Sequence, residues 1–293
     1  MLFVISSLPS KIGQFWSSRK GGKTRKRGMA LSALSSTDSQ TDSHLSQAPR
    51  WGAWTACLII VSFYLTQAAG MFMVHMVATL GVSGLAGLGE ASTLAQTWVL
   101  PLSLALGTMG GAMVAWQVAT SRAKPPLDLD WLFELLGKSY DLRNLWRFMA
   151  MGLSLGLGFF ALTEYGVLPS DDLPQPLFDA MNQASLLLQI GWVLMFVLLF
   201  PLVEEVVFRG FFFTGLSQSW GQMVAGVLTT LVFVAVHMPK VLEYWPAFVA
   251  VTLIGTLTVL LRIRSGNLAP GIVMHSTYNG TLVAAAFLTQ PAS

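Results

Sequence analysis

The sequence predicts an all-α protein, a polytopic bundle of about seven or eight transmembrane helices, and three observations lead there. Of its 293 residues, 54% are apolar and only 11% charged, whereas ordinary globular chains carry about 25% charged residues. Behind a polar first fifty residues, the apolar residues gather into runs of roughly twenty, the length that crosses a bilayer as a helix. The single cysteine, Cys57, excludes an intramolecular disulfide, a four-cysteine zinc site and a Cys-x-x-Cys redox pair, and is expected only to pack.

Residues 1–50 read as a basic, Ser-rich tail. It holds eight of the seventeen Lys and Arg against Asp38 and Asp42, so the rest of the chain is net acidic. Seven of those cations fall between Lys11 and Arg27. Ahead of a membrane domain they read as topology control or contact with anionic lipid, with an organellar transit peptide as the alternative and no nucleic acid partner.

The spans follow in order. The first runs from about Trp51 to Leu80 and the second from about Leu94 to Ala119, with Gly84, Gly87 and Gly89 in the turn between. A polar linker, Thr120 to Arg147, carries an amphipathic piece with Trp131, Leu132, Leu135 and Leu136, expected at the interface. The third span, Phe148 to Leu168, includes Gly152, Gly156 and Gly158, small residues that let helices approach closely where lipid offers no hydrophobic drive. The loop Pro169 to Asp179 has three aspartates and no cation, whereas the Thr120–Arg147 linker has five cations. The positive-inside rule therefore puts that linker, and the tail with it, on the cytoplasmic or stromal side. Residues 51–183 thus form an N-terminal set of spans and 184–290 a second set. The latter comprises the stretch Ala184–Leu216 and spans near Gln222–Met238, Pro246–Leu261 and Leu268–Leu288. Ala184–Leu216 is too long for one upright helix, so Pro201 is expected to kink it or begin a new element.

Few ionisable groups lie inside the spans: Glu204, Glu205 and Arg209 on one element, His237 on the next and His275 on the last. Each carboxylate or guanidinium near the bilayer centre costs about 2.5–3.5 kcal/mol on insertion scales, so polar surroundings are required. Glu205 and Arg209 are i and i+4, an orientation that lets the pair neutralise itself. Glu204, one position back, points about 100° away and is free to face the histidines. His275 and Asn279 are also i and i+4, two donors on one face that can share an acceptor as an oxyanion hole requires. Phe233, one turn before His237, would wall the same face.

These residues carry a resemblance. Glu204-Glu205-x-x-x-Arg209, Phe233-x-x-x-His237 and His275-x-x-x-Asn279, in that order, resemble the three motifs of the CAAX-protease and bacteriocin-processing (CPBP, or Abi) family of intramembrane endopeptidases, over roughly a hundred residues from Ala184 to Leu288. The resemblance implies an all-α intramembrane protease similar to type II CAAX prenyl endopeptidases. Its partners would be a protein or peptide substrate, prenylated or not, and membrane lipid. It assigns Glu204 and His237 to water activation, His275 and Asn279 to the oxyanion, and Glu205 and Arg209 to support. No cofactor is required on this reading. The alternative is zinc held by Glu204, His237 and His275, which match a hydrolytic site by ligand type but lack the His-Glu-x-x-His spacing. Two rival functions remain: a proton-coupled transporter using Glu204 and the histidines as a relay, and a non-proteolytic scaffold or bacteriocin-immunity protein.

Other residues have plainer expectations. His75 should pack or hydrogen-bond within the bundle, Glu164 should reach water, and Arg262 and Arg264 should anchor topology. The run Phe208–Phe213 should line lipid or substrate. One geometric conflict stands out: seven straight crossings put Glu204 near the inner end of its element and His237 near the outer end of the next. Either the Glu-bearing helix extends through Leu216, or the boundary before His237 shifts.

Overall fold

A helix forms at each expected span in the computed structural model, which describes residues 49–83, 91–138, 140–168 and 185–288. The basic tail up to residue 48, the turn at Gly84, Gly87 and Gly89, and the acidic loop Pro169–Asp179 lie outside the described residues. The elements are α1 (Ala53–Ser83), α2 (Ala91–Arg122), α3 (Leu129–Leu136), α4 (Trp146–Glu164) and α5 (Leu186–Leu194), then a π-helical segment (Met195–Leu199) and α6 (Phe200–Glu204). A second π-helical segment (Glu205–Phe212) leads into α7 (Phe213–Val236), α8 (Met238–Glu243), α9 (Pro246–Ser265) and α10 (Ala269–Leu288). Among the described residues no strand appears beyond one isolated bridge between Arg50 and Lys124. Among the described residues, five helical runs are long and apolar enough to cross a membrane. One of them, Leu186–Val236, spans 51 residues and is broken within.

That break resolves the depth conflict. Gly221 has φ 80° and ψ 163°, a backbone that L-residues avoid and glycine adopts freely. The chain reverses there, and residues equidistant from it meet: Glu204 faces His237, and the Phe208 and Phe233 rings lie 5.1 Å apart, edge to face. Glu204 stands 17 residues before Gly221 and His237 16 after it, so at 1.5 Å per residue the two are nearly level. Extension of the Glu-bearing helix beyond Leu216 is what brings them together.

Pro201 falls in the first turn of α6, at the exit from the upstream π-helical segment. A proline has no N–H and its ring collides with the carbonyl four residues back, here that of Val197. The π-helical turn over Met195–Leu199, wider by one residue, ends just before it, with the Phe200 N–H bonded to Met195 O, and the rod continues.

Glycines set the helix spacing. A Cβ on Gly107 would lie 2.7 Å from Gln67 O, and one on Gly111 2.7 Å from Phe63 O, so α1 and α2 touch backbone to backbone. On α4, Gly152 abuts Met274 and Tyr278 of α10, and a Cβ on Gly156 would lie 2.6 Å from Thr281 Cβ. Gly158, expected in the same role, has nothing within 4 Å of its would-be Cβ. Gly152→Ala is therefore expected to cost about 1–3 kcal/mol by overpacking. Gly158→Ala should be neutral or stabilising by up to about 1 kcal/mol, since glycine is the poorer helix former. Thermal melting of the two purified variants checks the contrast, and equal melting points would remove the packing role of Gly152.

The linker helix α3 is stopped at both ends by its sequence. The Asp128 carboxylate accepts the Trp131 N–H at 2.7 Å, and Gly137 closes the C-terminus at φ 102°. The Leu268 N–H then donates to Leu135 O at 2.7 Å, which fastens α3 to the turn between α9 and α10.

Two further expectations change. Phe208, Phe211, Phe212 and Phe213 are all buried, packed with Trp51, Ile59 and Phe63 in the largest core cluster, so the aromatic run lines neither lipid nor substrate. Cys57 faces outward from α1 instead of packing.

Candidate active site

Three elements converge on one point. The π-helical segment Glu205–Phe212 brings Glu205 and Arg209 inward, α7 ends at His237, and α10 carries His275 and Asn279. Glu205 and Arg209 are nearly inaccessible, at 1% and 0% of their side chains. They pair as their spacing predicted, Arg209 Nη1 donating to Glu205 Oε1 at 3.2 Å. Arg209 Nη2 donates to Gly255 O at 3.0 Å. Such a pair survives burial only when further hydrogen bonds satisfy it, and bare backbone makes room for them. A Cβ on Gly271 would stand 3.3 Å from Glu205 Oε2. On Gly255 it would stand 3.1 Å from the Phe233 ring.

Glu204 points elsewhere, as the 100° step predicts. Its Oε1 is 4.0 Å from His237 Nε2 and its Oε2 is 3.9 Å from His275 Nε2. Those separations are too long for direct hydrogen bonds and suit one bridging oxygen. The Glu204 side chain keeps 24% of its surface accessible, so the carboxylate is not sealed in hydrocarbon.

Each imidazole is oriented through its other nitrogen. His237 Nδ1 lies 2.7 Å from Phe233 O, an acceptor only, so Nδ1 carries the proton. His275 Nδ1 lies 3.1 Å from Glu205 Oε1 and donates to it. Both Nε2 atoms are thereby aimed at Glu204. Phe233 is the wall they share: its centroid is 4.5 Å from that of His237 and 6.2 Å from that of His275, while Arg209 Cζ sits 4.3 Å from the ring centre.

Asn279 is placed differently from its partner. One N–H of its carboxamide goes to Phe196 O at 3.0 Å, in the upstream π-helical segment. Gly255, Gly271 and Arg262 were not singled out by sequence as site residues. Arg262 donates from Nε to Arg209 O at 3.3 Å and so does more than anchor topology. The first two carry no sequence signal beyond being glycine; the third resembles any cation at a span's end.

The donor set fits zinc only in part. Nδ1 atoms bound to a carbonyl and a carboxylate are the usual outer partners of zinc-binding histidines. Ligands at about 2.0–2.1 Å around a tetrahedral ion, however, stand about 3.3 Å apart, and Glu204 would have to close on both rings by more than half an ångström. Among the described residues no group of three or more His, Cys, Asp and Glu is arranged to hold a metal.

A family model matches the part of the chain that holds this site. Residues 186–281 match the family model described as type II CAAX prenyl endopeptidase Rce1-like, a family of proteases. At the level of that family the match supports a CAAX-type intramembrane protease. An uncharacterized 24.3 kDa protein of Escherichia coli is 29% identical over 140 residues, 46% of this chain. The chain spans 62% of the length of that curated relative. No solved structure matches.

Proposed function

We propose that the protein is an intramembrane endopeptidase that hydrolyses a peptide bond with water activated by Glu204 and His237, and that its substrates are prenylated proteins trimmed at a CAAX-type C-terminus. The observation that carries the reading is the Glu204 carboxylate, accessible and set 3.9–4.0 Å from two oriented imidazoles. A water between Glu204 and His237 would give its proton to Glu204 as it attacks the scissile carbonyl, and Glu204 would return that proton to the leaving amine. Glu204, Glu205 and Arg209 together carry one negative charge. In its imidazolium form His275 makes the cluster neutral, donating from Nδ1 to Glu205 and from Nε2 toward the tetrahedral oxyanion. The second N–H of Asn279 joins it. The match to the Rce1-like family over residues 186–281 supports the reaction class.

The metal alternative rests on the ligand types of Glu204, His237 and His275 and on the outer partners of the two imidazoles. Zinc there would be held by Glu204, His237 and His275 and would supply Lewis acidity to a bound water. One experiment tests the function and separates the two. Purified full-length protein in liposomes is offered peptides ending in Cys-aliphatic-aliphatic-X, with and without a farnesyl group on the cysteine, in the presence and absence of a strong chelator. The expected result is release of the terminal tripeptide from the farnesylated peptide at a rate the chelator leaves unchanged. Loss of the rate with chelator and its recovery with Zn²⁺ would move the site to the metal reading. No release from any peptide would overturn the peptidase proposal.

A further inference from the structure

We propose that Arg262 is a positioning residue for the Glu204–Glu205 pair, locking the register of the π-helical segment by capping a carbonyl that the helix itself leaves without a donor. In a π-helix each N–H bonds to the carbonyl five residues back, and in an α-helix to the one four back. The Phe213 N–H bonds to Phe208 O, which is the π register. Where the α register resumes, the four-back partner of Thr214 is Gly210, so the Arg209 carbonyl falls between the two registers. A buried carbonyl in that position needs another donor.

Arg262 supplies it. Its Nε donates to Arg209 O at 3.3 Å, and its Nη1 donates to Gly266 O. Gly266 is the left-handed residue, φ 74°, that closes α9 before the turn into α10. One guanidinium thus ties the end of the Glu205–Phe212 segment to the hairpin that carries His275. Arg209 is held at both ends: its side chain binds Glu205 and its carbonyl is bound by Arg262.

The upstream segment repeats the device. The Phe200 N–H bonds to Met195 O, again five back. By that register the next donor, to Phe196 O, would be residue 201, but Pro201 has no N–H. Asn279 Nδ2 fills the place at 3.0 Å. The two π-helical segments that flank α6 and its Glu204 are therefore each closed by one polar side chain from the α9–α10 hairpin. Without the downstream cap, the helix can return to the α register one residue early. That shift turns Glu205 and Arg209 away from His275 and Gly255.

A topology anchor would need only charge, and Arg264, exposed two residues on, has the same charge. It serves as the internal control. The test uses the full chain in nanodiscs with R262M, R262Q, R262K and R264M, read by hydrogen exchange over residues 205–216 and by peptide turnover. Gln is the informative replacement because its Nε2 stands at the same bond distance from the backbone as the arginine Nε, with no charge. R262M is expected to raise exchange in that stretch at least tenfold and to lower kcat by about 10–100-fold, as loss of an outer partner does, with KM within about twofold. R262Q should recover most of both losses, and R264M should match the wild type. Equal effects of R262M and R264M, or recovery by R262K but not by R262Q, would overturn the proposal in favour of a charge role. If R262M fails to fold, R262Q against R262K decides. The kinetic arm rests on the peptidase reading and the exchange arm does not. An inactive wild type would therefore sink that reading alone, while exchange still judges Arg262.

Discussion

Glu204→Gln is expected to reduce peptide hydrolysis by about 10²–10⁴-fold, the range that general acid–base groups supply, while the protein inserts, folds and melts as the wild type does. The expectation of intact folding follows from the geometry. Glu204 meets both imidazoles across 3.9–4.0 Å and is partly accessible, so an amide of the same shape replaces it without opening a cavity or orphaning a tightly bound partner. Initial rates in liposomes against a farnesylated peptide, with melting curves alongside, measure the effect. A variant that keeps turnover within tenfold of the wild type would take the proton-transfer role away from this carboxylate. The transporter reading predicts coupled ion flux in the same liposomes, abolished by the same substitution. The scaffold reading predicts no change in any rate.

Glu205→Ala should behave in the opposite way, failing first in stability. Its loss leaves the Arg209 guanidinium fully buried with one backbone carbonyl, Gly255 O, as its remaining hydrogen-bonded acceptor among the described residues. Breaking a buried pair from one side costs about 3–5 kcal/mol, because the surviving charge has been stripped of water without compensation. Removing both charges with residues of similar shape, as in Glu205→Leu with Arg209→Met, should return most of that stability. The double variant would still lack the carboxylate that orients His275 Nδ1, so its turnover should stay low. Denaturant titration of the wild type and the two variants in one detergent checks the sign. If Glu205→Ala is as stable as the wild type and the double variant no better, the pair does not support the fold in the way its burial indicates.

Much of this site was legible in the sequence because ions inside apolar spans are costly and therefore few. Glu204, Glu205, Arg209, His237 and His275 stood out against helices with hardly another charge, and their spacing alone gave the Glu205–Arg209 pair and the outward turn of Glu204. The span positions were legible for the same reason. What remained hidden was hidden by uniformity. In a run such as Leu186–Phe213 nearly every side is apolar, so no periodicity marks a change from 3.6 residues per turn, and neither π-helical segment could be seen. Arg262 was read by its place at the end of a span, where cations usually face the interface, and nothing in its neighbours showed that it turns inward. The aromatic run at Phe208–Phe213 was misjudged because membranes tolerate phenylalanine both on the lipid face and inside, and composition does not separate the two.

The reversal at Gly221 makes the interval between Glu204 and His237 a gauge. Both arms are measured from the same pivot, so deleting one residue from either would drop its end by about 1.5 Å and swing it by about 100°. Neither error can be absorbed by a side chain as short as glutamate or histidine. Variation in length is therefore tolerable only at the pivot itself, where an added residue lengthens the bend and leaves both arms unaltered. Any descendant of this chain that still uses both ends must inherit the two distances unchanged, however freely the amino acids along them drift.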